Sequence, residues 1–276
     1  MTAAQVPSIE QIRGAWNGIA RGFDEFVTPE TTVLGKEVVR RLGLRPGTRL
    51  LDVAAGSGAL SIPAARGGAE VVATDLAPAM IERLNARARA EGLSSVRGRT
   101  MDGHALDLAD DTFDVAVSVN GVSLFPDMAR ALTELVRVTR PGGRVVIAAF
   151  GPVETVEFIV FVTSAVRAVV PDAPPLPTSL PFQAADPDVL RGRLADAGLR
   201  EVRIDTITWE TAFDSVQHLW NMSTASNPIG AKLVAGLSDA QRAEVTRVLE
   251  GMLRERSAGA PGAVLRAGVN IGIGTV

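Results

Sequence analysis

The sequence lacks several residue types on which enzyme chemistry often depends. Its 276 residues include no cysteine, no tyrosine and only two histidines, His104 and His218. The absence of cysteine excludes disulfides, thiolate nucleophiles, cysteine-ligated zinc and iron–sulfur clusters from this sequence. Two histidines are too few for a histidine-rich metal centre, and we predict no metal site. Catalysis must therefore depend on carboxylates, hydroxyls, two imidazoles or a bound cofactor.

Strong charge and long hydrophobic runs are also missing. The 28 basic and 31 acidic side chains give a net charge of -3, and no cluster of Lys and Arg indicates a nucleic-acid partner. The longest apolar stretch, residues 156–170, is interrupted by Glu157 and Arg167 and is shorter than the ~20 residues that span a bilayer. The N-terminus has no apolar core of a secretory signal. We therefore expect a cytoplasmic protein without stable membrane insertion and with a small-molecule substrate.

Hydrophobic residues make up 46% of the chain, and their spacing alternates between two periods from residue 48 to residue 150. The predicted strands are residues 48–55, 70–75, 96–101, 113–119 and 144–150, and the predicted helices between them are residues 59–66, 78–91 and 128–139. Strands separated by helices of this length are typical of parallel sheets with both faces covered. We predict a single α/β domain with a doubly wound, mostly parallel sheet.

Elements outside this core are predicted from shorter patterns. Residues 8–26 form an amphipathic helix capped by Ser8, and a second helix runs from near Thr31 to Gly43. A turn is predicted at residues 141–143. Residues 215–256 are predicted to be helical, and the final residues a short strand that closes the sheet edge.

One segment, LLDVAAGSGAL at residues 50–60, carries the strongest chemical signal. It places Asp52 at the end of a strand, followed by a loop of small residues and the start of a helix. Such a loop lets a ligand approach the backbone, and the helix start offers unpaired N–H groups. Asp75 ends the next predicted strand, where an acid can accept hydrogen bonds from a ribose diol. Together they predict a nucleotide-type cofactor.

Two cofactors suit this arrangement, a nicotinamide dinucleotide and S-adenosylmethionine. Asp52 favours the second, because a carboxylate beside the loop attracts a sulfonium or ammonium group and repels a pyrophosphate. Ser61 stands where the dinucleotide fingerprint has its third glycine, and the absence of tyrosine removes a common reductase acid. An NAD(P)-dependent oxidoreductase and a non-catalytic cofactor-binding protein stay open as alternatives.

These residues resemble motif I of the class I S-adenosylmethionine-dependent methyltransferases, in the small-molecule group similar to ubiquinone/menaquinone C-methyltransferases. Ala54 stands at the motif's first glycine, and we expect the loop to stay tight. MDGHAL at residues 101–106, the segment at residues 113–127 and RPGGRVVIAAF at residues 140–150 are also similar to family segments. The resemblance covers residues 10–150 well and the rest loosely. It implies a Rossmann-like methyltransferase fold with N-terminal helices and a helical substrate cap.

The resemblance implies S-adenosyl-L-methionine as the cofactor and S-adenosyl-L-homocysteine as its product. Asp52 and the loop would hold the methionine end, Asp75 the ribose, and Asp102 the adenine amino group. The full set of implied cofactor-binding residues is Asp52, Ala54, Ala55, Gly56, Gly58, Asp75, Leu76, Met80, Asp102, Gly103, His104, Val119 and Asn120. The single domain would divide into a helical flap (1–46), a cofactor-binding core (47–150), cap segments (151–182 and 213–258) and remaining sheet elements (186–210 and 266–276).

The predicted cap segments are rich in apolar residues, which favours a small, largely apolar methyl acceptor. The resemblance implies O- or C-methylation of an aromatic, polyketide-like or prenylated metabolite. Candidate residues of the acceptor pocket are Trp16, Phe23, Phe161, Trp220 and Met222, with ordinary packing as the alternative for each. His218 is the candidate general base, because an imidazole titrates near neutral pH. A base-free mechanism is the alternative, and a homodimer stays open.

Overall fold

The computed structural model describes residues 7–173 and 182–276. Part of the predicted cap segment 151–182 therefore lies outside the described residues. Seven strands form one sheet in the order β3-β2-β1-β4-β5-β7-β6. They are β1 (Arg49–Val53), β2 (Glu70–Asp75), β3 (Val96–Thr100), β4 (Phe113–Val119), β5 (Thr139–Phe150), β6 (Arg200–Phe213) and β7 (Ala263–Thr275). The strands β1 to β5 are parallel, and β7 is antiparallel to both of its neighbours, so the predicted mostly parallel sheet is confirmed.

Helices cover both faces of the sheet, as the nearly continuous hydrophobic strands predict. They are α1 (Ile9–Gly22), α2 (Thr28–Leu42), α3 (Ser61–Arg66), α4 (Pro78–Ala90), α5 (Met128–Val138), α6 (Glu157–Val169), α7 (Pro187–Asp196), α8 (Val216–Trp220), α9 (Pro228–Val234) and α10 (Asp239–Arg256). Leu50 packs into the core on the side of α2, α4 and α6, whereas its neighbour Leu51 packs on the side of α5 and α7. Alternate residues of β1 thus supply both cores.

The two N-terminal helices are continuous with each other. Ser8 forms a capping box with Gln11 at the start of α1, and Gly43, at φ 55°, ends α2. Between them, Phe23–Val27 form a π-helical turn, and α2 begins at Thr28 rather than near Thr31. A second π-helical turn, Asn221–Ala225, follows α8, so the predicted helical region 215–256 is divided into three α-helices and this turn.

Two predictions about the sheet are wrong. The final strand, β7, is 13 residues long and lies inside the sheet between β5 and β6, so β6 is the edge strand. The glycines of β7 allow helix α7 to pack closely on the sheet, since a Cβ on Gly272 would lie 2.6 Å from Leu194 Cδ1. The predicted turn at residues 141–143 is an irregularity within β5, where the pairing with β4 shifts register and Gly142 has φ 74°.

Across the described ranges, no helix is long and apolar enough to cross a membrane.

Candidate functional site

A cavity lies at the carboxyl ends of the parallel strands, the edge at which such sheets bind ligands. Segments that follow β1, β2, β3 and β4 line one part of it, and Phe150 ends β5 beside them. We call the part formed by Asp52, residues 54–56, Asp75, Leu76, Met80 and residues 102–104 the acidic half. We call the part formed by Phe150, Phe158, Val162, Phe182, Trp209, Met222, Ile229 and Leu233 the apolar half.

The loop after β1 is held in an unusual backbone conformation. Ala54, Gly56 and Gly58 all have positive φ angles, of 57°, 55° and 98°. Asp75 fixes the loop, because its Oδ2 accepts a hydrogen bond from the Gly56 N–H at 2.9 Å and its Oδ1 accepts one from Ala77 at 2.9 Å. Ala54 therefore adopts the left-handed conformation that glycine would adopt at this position of the motif.

Asp52 and Asp75 form a pair of buried acids beside this loop. Asp52 is only 2% exposed, and its Oδ2 accepts a hydrogen bond from the Ser61 hydroxyl at 2.6 Å. Burial, together with the charge of Asp75, raises the pKa of Asp52 to about 7 against the lowering effect of its hydrogen bonds with Ser61. Burial also raises the pKa of Asp75. A cationic ligand would stabilise the ionised form of both groups.

Asp102 and His104 form a second polar cluster, at the end of β3. One oxygen of Asp102 accepts the His104 backbone N–H at 2.9 Å and lies 2.7 Å from His104 Nδ1. A carboxylate oxygen can only accept, so Nδ1 is the donor in this contact. Nε2 is buried and has no hydrogen-bond partner within the described structure. The ring of Phe125 packs on the imidazole, with centroids 4.8 Å apart.

Asn120 marks the junction of the two halves, at the end of β4. Its φ is 50°, and its backbone N–H donates to Ala148 O at 2.8 Å. Both polar atoms of its side-chain amide are buried, and neither meets a partner among the residues described. Leaving such groups unpaired costs ~1–3 kcal/mol each, and the backbone conformation adds to this cost. A bound molecule with its own donors and acceptors would relieve it.

The N-terminal flap lies over the acidic half. The rings of Trp16 and Phe23 meet edge to face, with centroids 5.9 Å apart, and pack with Met80. Phe23 also covers the loop, since a Cβ on Gly56 would lie 3.0 Å from its ring. Asp24 forms ion pairs with Arg83 and Arg87 of α4, which anchors the flap at the first π-helical turn. Trp16 and Phe23 thus line the cavity beside the residues predicted to bind the cofactor.

An aromatic cluster forms one wall of the apolar half. Phe150 and Trp209 stack with centroids 6.2 Å apart, and Phe158 packs edge-on against both at 5.8 and 6.2 Å. These three residues were not predicted as site residues. Phe150 could have been found, because it ends a predicted parallel strand at the same edge as Asp52. Trp209 could not, because its place depends on the pairing of β6 with β7.

The structure brings most of the predicted site residues to the cavity. Every predicted cofactor-binding residue except Gly58 lines it, as do Trp16, Phe23 and Met222. Gly58 instead faces Ile62 and Leu84, so it shapes the loop from behind. Phe161 and Trp220 lie outside the described lining and pack on the adjoining core instead. On α6, the residues that face the cavity are Phe158, Ile159, Val162 and Thr163.

His218, the candidate general base, also lies outside the described cavity lining. Its Nε2 is 3.7 Å from Glu30 and its Nδ1 is 3.4 Å from Asp214. Its ring packs against Phe213, with centroids 5.2 Å apart. The imidazole therefore links α8 to α2, and this position gives no support to a general-base role.

Relatives of known sequence match parts of the chain. Residues 51–147 match the family model of a methyltransferase domain. An uncharacterized protein of Mycobacterium tuberculosis is 48% identical over 112 residues, which cover 41% of this chain and 40% of that protein. The chain thus aligns with less than half the length of this relative. A demethylmenaquinone methyltransferase of Renibacterium salmoninarum is 31% identical over 210 residues, which cover 70% of this chain and 85% of the relative.

Solved structures share the fold at low identity. The [4+2]-cyclase SpnF superposes with a TM-score of 0.62 at 17% identity, over 99% of this chain and 98% of the cyclase. A phosphoethanolamine N-methyltransferase of Haemonchus contortus superposes with a TM-score of 0.61 at 13% identity, over 98% of this chain and 61% of that protein. These likenesses establish the architecture, and the 31% identical relative establishes the kinship. The chain belongs to the class I S-adenosylmethionine-dependent methyltransferases, with a quinone methyltransferase among its relatives.

Proposed function

We propose that the chain transfers a methyl group from S-adenosylmethionine to a small, largely apolar acceptor. The observation that carries this proposal is a single cavity with an acidic half and an apolar half that meet at Asn120. Buried carboxyl groups suit a cationic cofactor, whereas a wall of aromatic side chains suits an uncharged ring compound. Within the described lining of the apolar half, no side chain is charged.

The residues of the acidic half fit the cofactor in chemistry and in order along the sheet. Asp52 and the loop after β1 would hold the methionine end, and Asp75 would accept hydrogen bonds from the ribose. Leu76 and Met80 would pack on the adenine, whose polar edge would meet Asp102, Gly103 and His104. The free Nε2 of His104 and the unpaired amide of Asn120 are groups that a ligand of this polarity would satisfy.

When bound, S-adenosylmethionine supplies an electrophilic methyl group on a cationic sulfonium. The contribution of the chain is alignment and the exclusion of water, and alignment alone can lower a barrier by ~7–11 kcal/mol. Trp16 and Phe23 close the acidic half, and the aromatic cluster closes the other. Because the described apolar half holds no titratable side chain, we propose a displacement without a general base from the chain, in which the hydroxyl or enol proton of the acceptor would pass to solvent as its oxygen or carbon takes up the methyl group.

An NAD(P)-dependent oxidoreductase is the second candidate that the sequence left open. The buried carboxyl group of Asp52 opposes it, because a carboxylate beside the loop would face a pyrophosphate with like charge. Isothermal titration with S-adenosylhomocysteine and with NADH separates the two candidates. We expect binding of the first ligand only, and the reverse result would contradict the proposed function.

Methyl transfer itself is tested with radiolabelled S-adenosylmethionine and a panel of uncharged ring compounds that carry hydroxyl or enolisable carbon groups. We expect label in at least one of these compounds and none in anionic analogues. Binding of S-adenosylhomocysteine without transfer to any member of the panel would favour a non-catalytic cofactor-binding protein.

A further inference from the structure

Trp209, near the carboxyl end of β6, carries a polar group with no role in the site described so far. Its side chain lines the apolar half and the residue is 5% exposed. Its Nε1 is buried and makes no hydrogen bond to any residue of the described ranges. A buried indole N–H almost always has a partner, because leaving it unpaired costs free energy. The missing partner is therefore expected on a molecule bound in the cavity.

The sheet order shows which bound molecule can supply this partner. The residues expected to hold the cofactor follow β1 to β4, whereas Trp209 is on β6, four strands from β1. At ~4.8 Å a strand, this separation is about 19 Å along the edge of the sheet. Trp209 therefore lies on the acceptor side of Asn120, beyond the groups expected to bind the cofactor.

The surroundings of the indole restrict the chemistry of its partner. An indole N–H can only donate, so the partner atom must accept a hydrogen bond. A carboxylate or phosphate would need a cation beside it, and the described lining of the cavity contains no Lys or Arg. The flat rings of Phe150 and Phe158 flank the indole and favour another ring system.

We propose that Trp209 is a specificity-determining residue that donates its indole N–H to a neutral oxygen, such as a carbonyl, on an uncharged ring acceptor. This inference rests on the proposed function, because it names the class of acceptor for that site. It also separates recognition from reaction, since the recognised oxygen lies on the side of the acceptor away from the cofactor.

The test compares two probes that differ in one carbonyl oxygen, 1-tetralone and tetralin. Their Kd values are measured by isothermal titration with the full chain saturated with S-adenosylhomocysteine. We expect the wild type to bind 1-tetralone about 5–50-fold more tightly than tetralin. Trp209→Phe keeps an aromatic ring but removes the N–H, so it should abolish this preference and leave the Kd of tetralin nearly unchanged.

Two variants serve as controls. Trp220→Phe makes the same change outside the described cavity lining and should retain the preference. Ser223 also lines the cavity, and its buried hydroxyl has no partner among the described residues. Ser223→Ala removes this hydroxyl. Should Ser223→Ala abolish the preference while Trp209→Phe retains it, the role of Trp209 would be overturned.

The remaining outcomes distinguish this inference from the function on which it rests. If Trp209→Phe does not fold, a chain with β-(benzothiophen-3-yl)alanine at position 209 replaces it, because sulfur then takes the place of the N–H in a ring of similar shape. Intact binding of S-adenosylhomocysteine with no preference for 1-tetralone, or with no binding of either probe, overturns the role of Trp209 alone. Failure of the wild type to bind S-adenosylhomocysteine contradicts the proposed function.

Discussion

The carboxyl group of Asp52 is buried near that of Asp75, so the chain holds two acids together before any ligand binds. Burial raises the pKa of Asp52 from its usual 3.8 to about 7. The folded state then binds the proton more tightly than the unfolded state does. The free energy of unfolding of the ligand-free protein therefore falls as the pH rises from about 4 to about 7.

Asp52→Asn should stabilise the ligand-free protein at about pH 8 by ~1–3 kcal/mol, because the buried charge is removed and the amide oxygen can still accept from Ser61. Urea unfolding of both proteins at about pH 8 and about pH 4 measures this difference. The gain should vanish at the lower pH, where both forms are uncharged. An equal gain at the two pH values would mean that the charge of Asp52 is not its source.

The same carboxyl group should make cofactor binding depend on pH. Below about pH 7 Asp52 is protonated, and the ammonium group of S-adenosylhomocysteine must then displace the proton. We expect the Kd of S-adenosylhomocysteine to rise by up to ~10-fold for each pH unit between about pH 7 and pH 5.5. Asp52→Asn should bind more weakly with no such slope, and a slope that persists in this variant would contradict the assignment.

Asp75→Ala should weaken the binding of S-adenosylhomocysteine by ~1–3 kcal/mol, because it removes the expected ribose acceptor and the hydrogen bond that holds Gly56 in the loop. Isothermal titration measures the change. Asp107→Ala is the matched control, since the Asp107 side chain is 95% exposed. An unchanged Kd for Asp75→Ala would place the ribose elsewhere.

For single residues, the sequence predicts the position of those that lie at the ends of parallel strands. Asp52, Asp75 and Asn120 lie at the carboxyl ends of three neighbouring strands, β1, β2 and β4. Their meeting at one edge of the sheet can therefore be inferred from the strand pattern. His218 could not be placed in this way. Its direction depends on the packing of α8 against α2, where Glu30 and Asp214 flank its ring.

Among the elements, α2 shows how the flap is fixed to the core. Gly35 of α2 packs against Ala59, which follows the β1 loop. A Cβ on Gly35 would lie 2.4 Å from the Ala59 carbonyl oxygen. That oxygen is part of the backbone, so it can move only with the loop itself. The close approach therefore couples the position of α2 to the segment that leads from the cofactor loop into α3.

Gly35→Ala should destabilise the fold by ~1–3 kcal/mol, because the added methyl group overpacks this contact. Gly18→Ala makes the same change in α1, at a position where a Cβ would meet nothing within 4 Å. It should stabilise the fold by ~0.5–1 kcal/mol through helix propensity. Thermal unfolding of both variants measures the contrast, and similar shifts in the same direction would refute it.

Local periodicity predicts most of the helices but not the order of the strands. The pattern of β7 identifies a strand, yet nothing in its residues states that it enters between β5 and β6. The first π-helical turn, Phe23–Val27, could not be predicted from the sequence either. Its geometry accompanies distant contacts, with Phe23 over Gly56 and Asp24 beside Arg83 and Arg87, and no local pattern encodes these contacts.

For the whole molecule, the cavity links ligand binding to stability, because the flap and the core both line it. S-adenosylhomocysteine at about 100 times its Kd should stabilise the protein by ~2.7 kcal/mol. For a chain of this size, the thermal midpoint should rise by about 5–10 °C. Scanning calorimetry measures the shift, with NADH at the same concentration as the control. A larger shift with NADH would contradict the proposed cofactor.

The position of β7 also sets an order of assembly during synthesis. Within the described sheet, β6 pairs only with β7, and β7 follows it in the chain. The five parallel strands leave the ribosome first, and with them the residues expected to bind the cofactor. A nascent chain that ends before residue 263 has no partner for β6, and Trp209 has no fixed place. The residues expected to bind the cofactor are therefore synthesised before the strand pair that fixes Trp209, the residue proposed to select the acceptor.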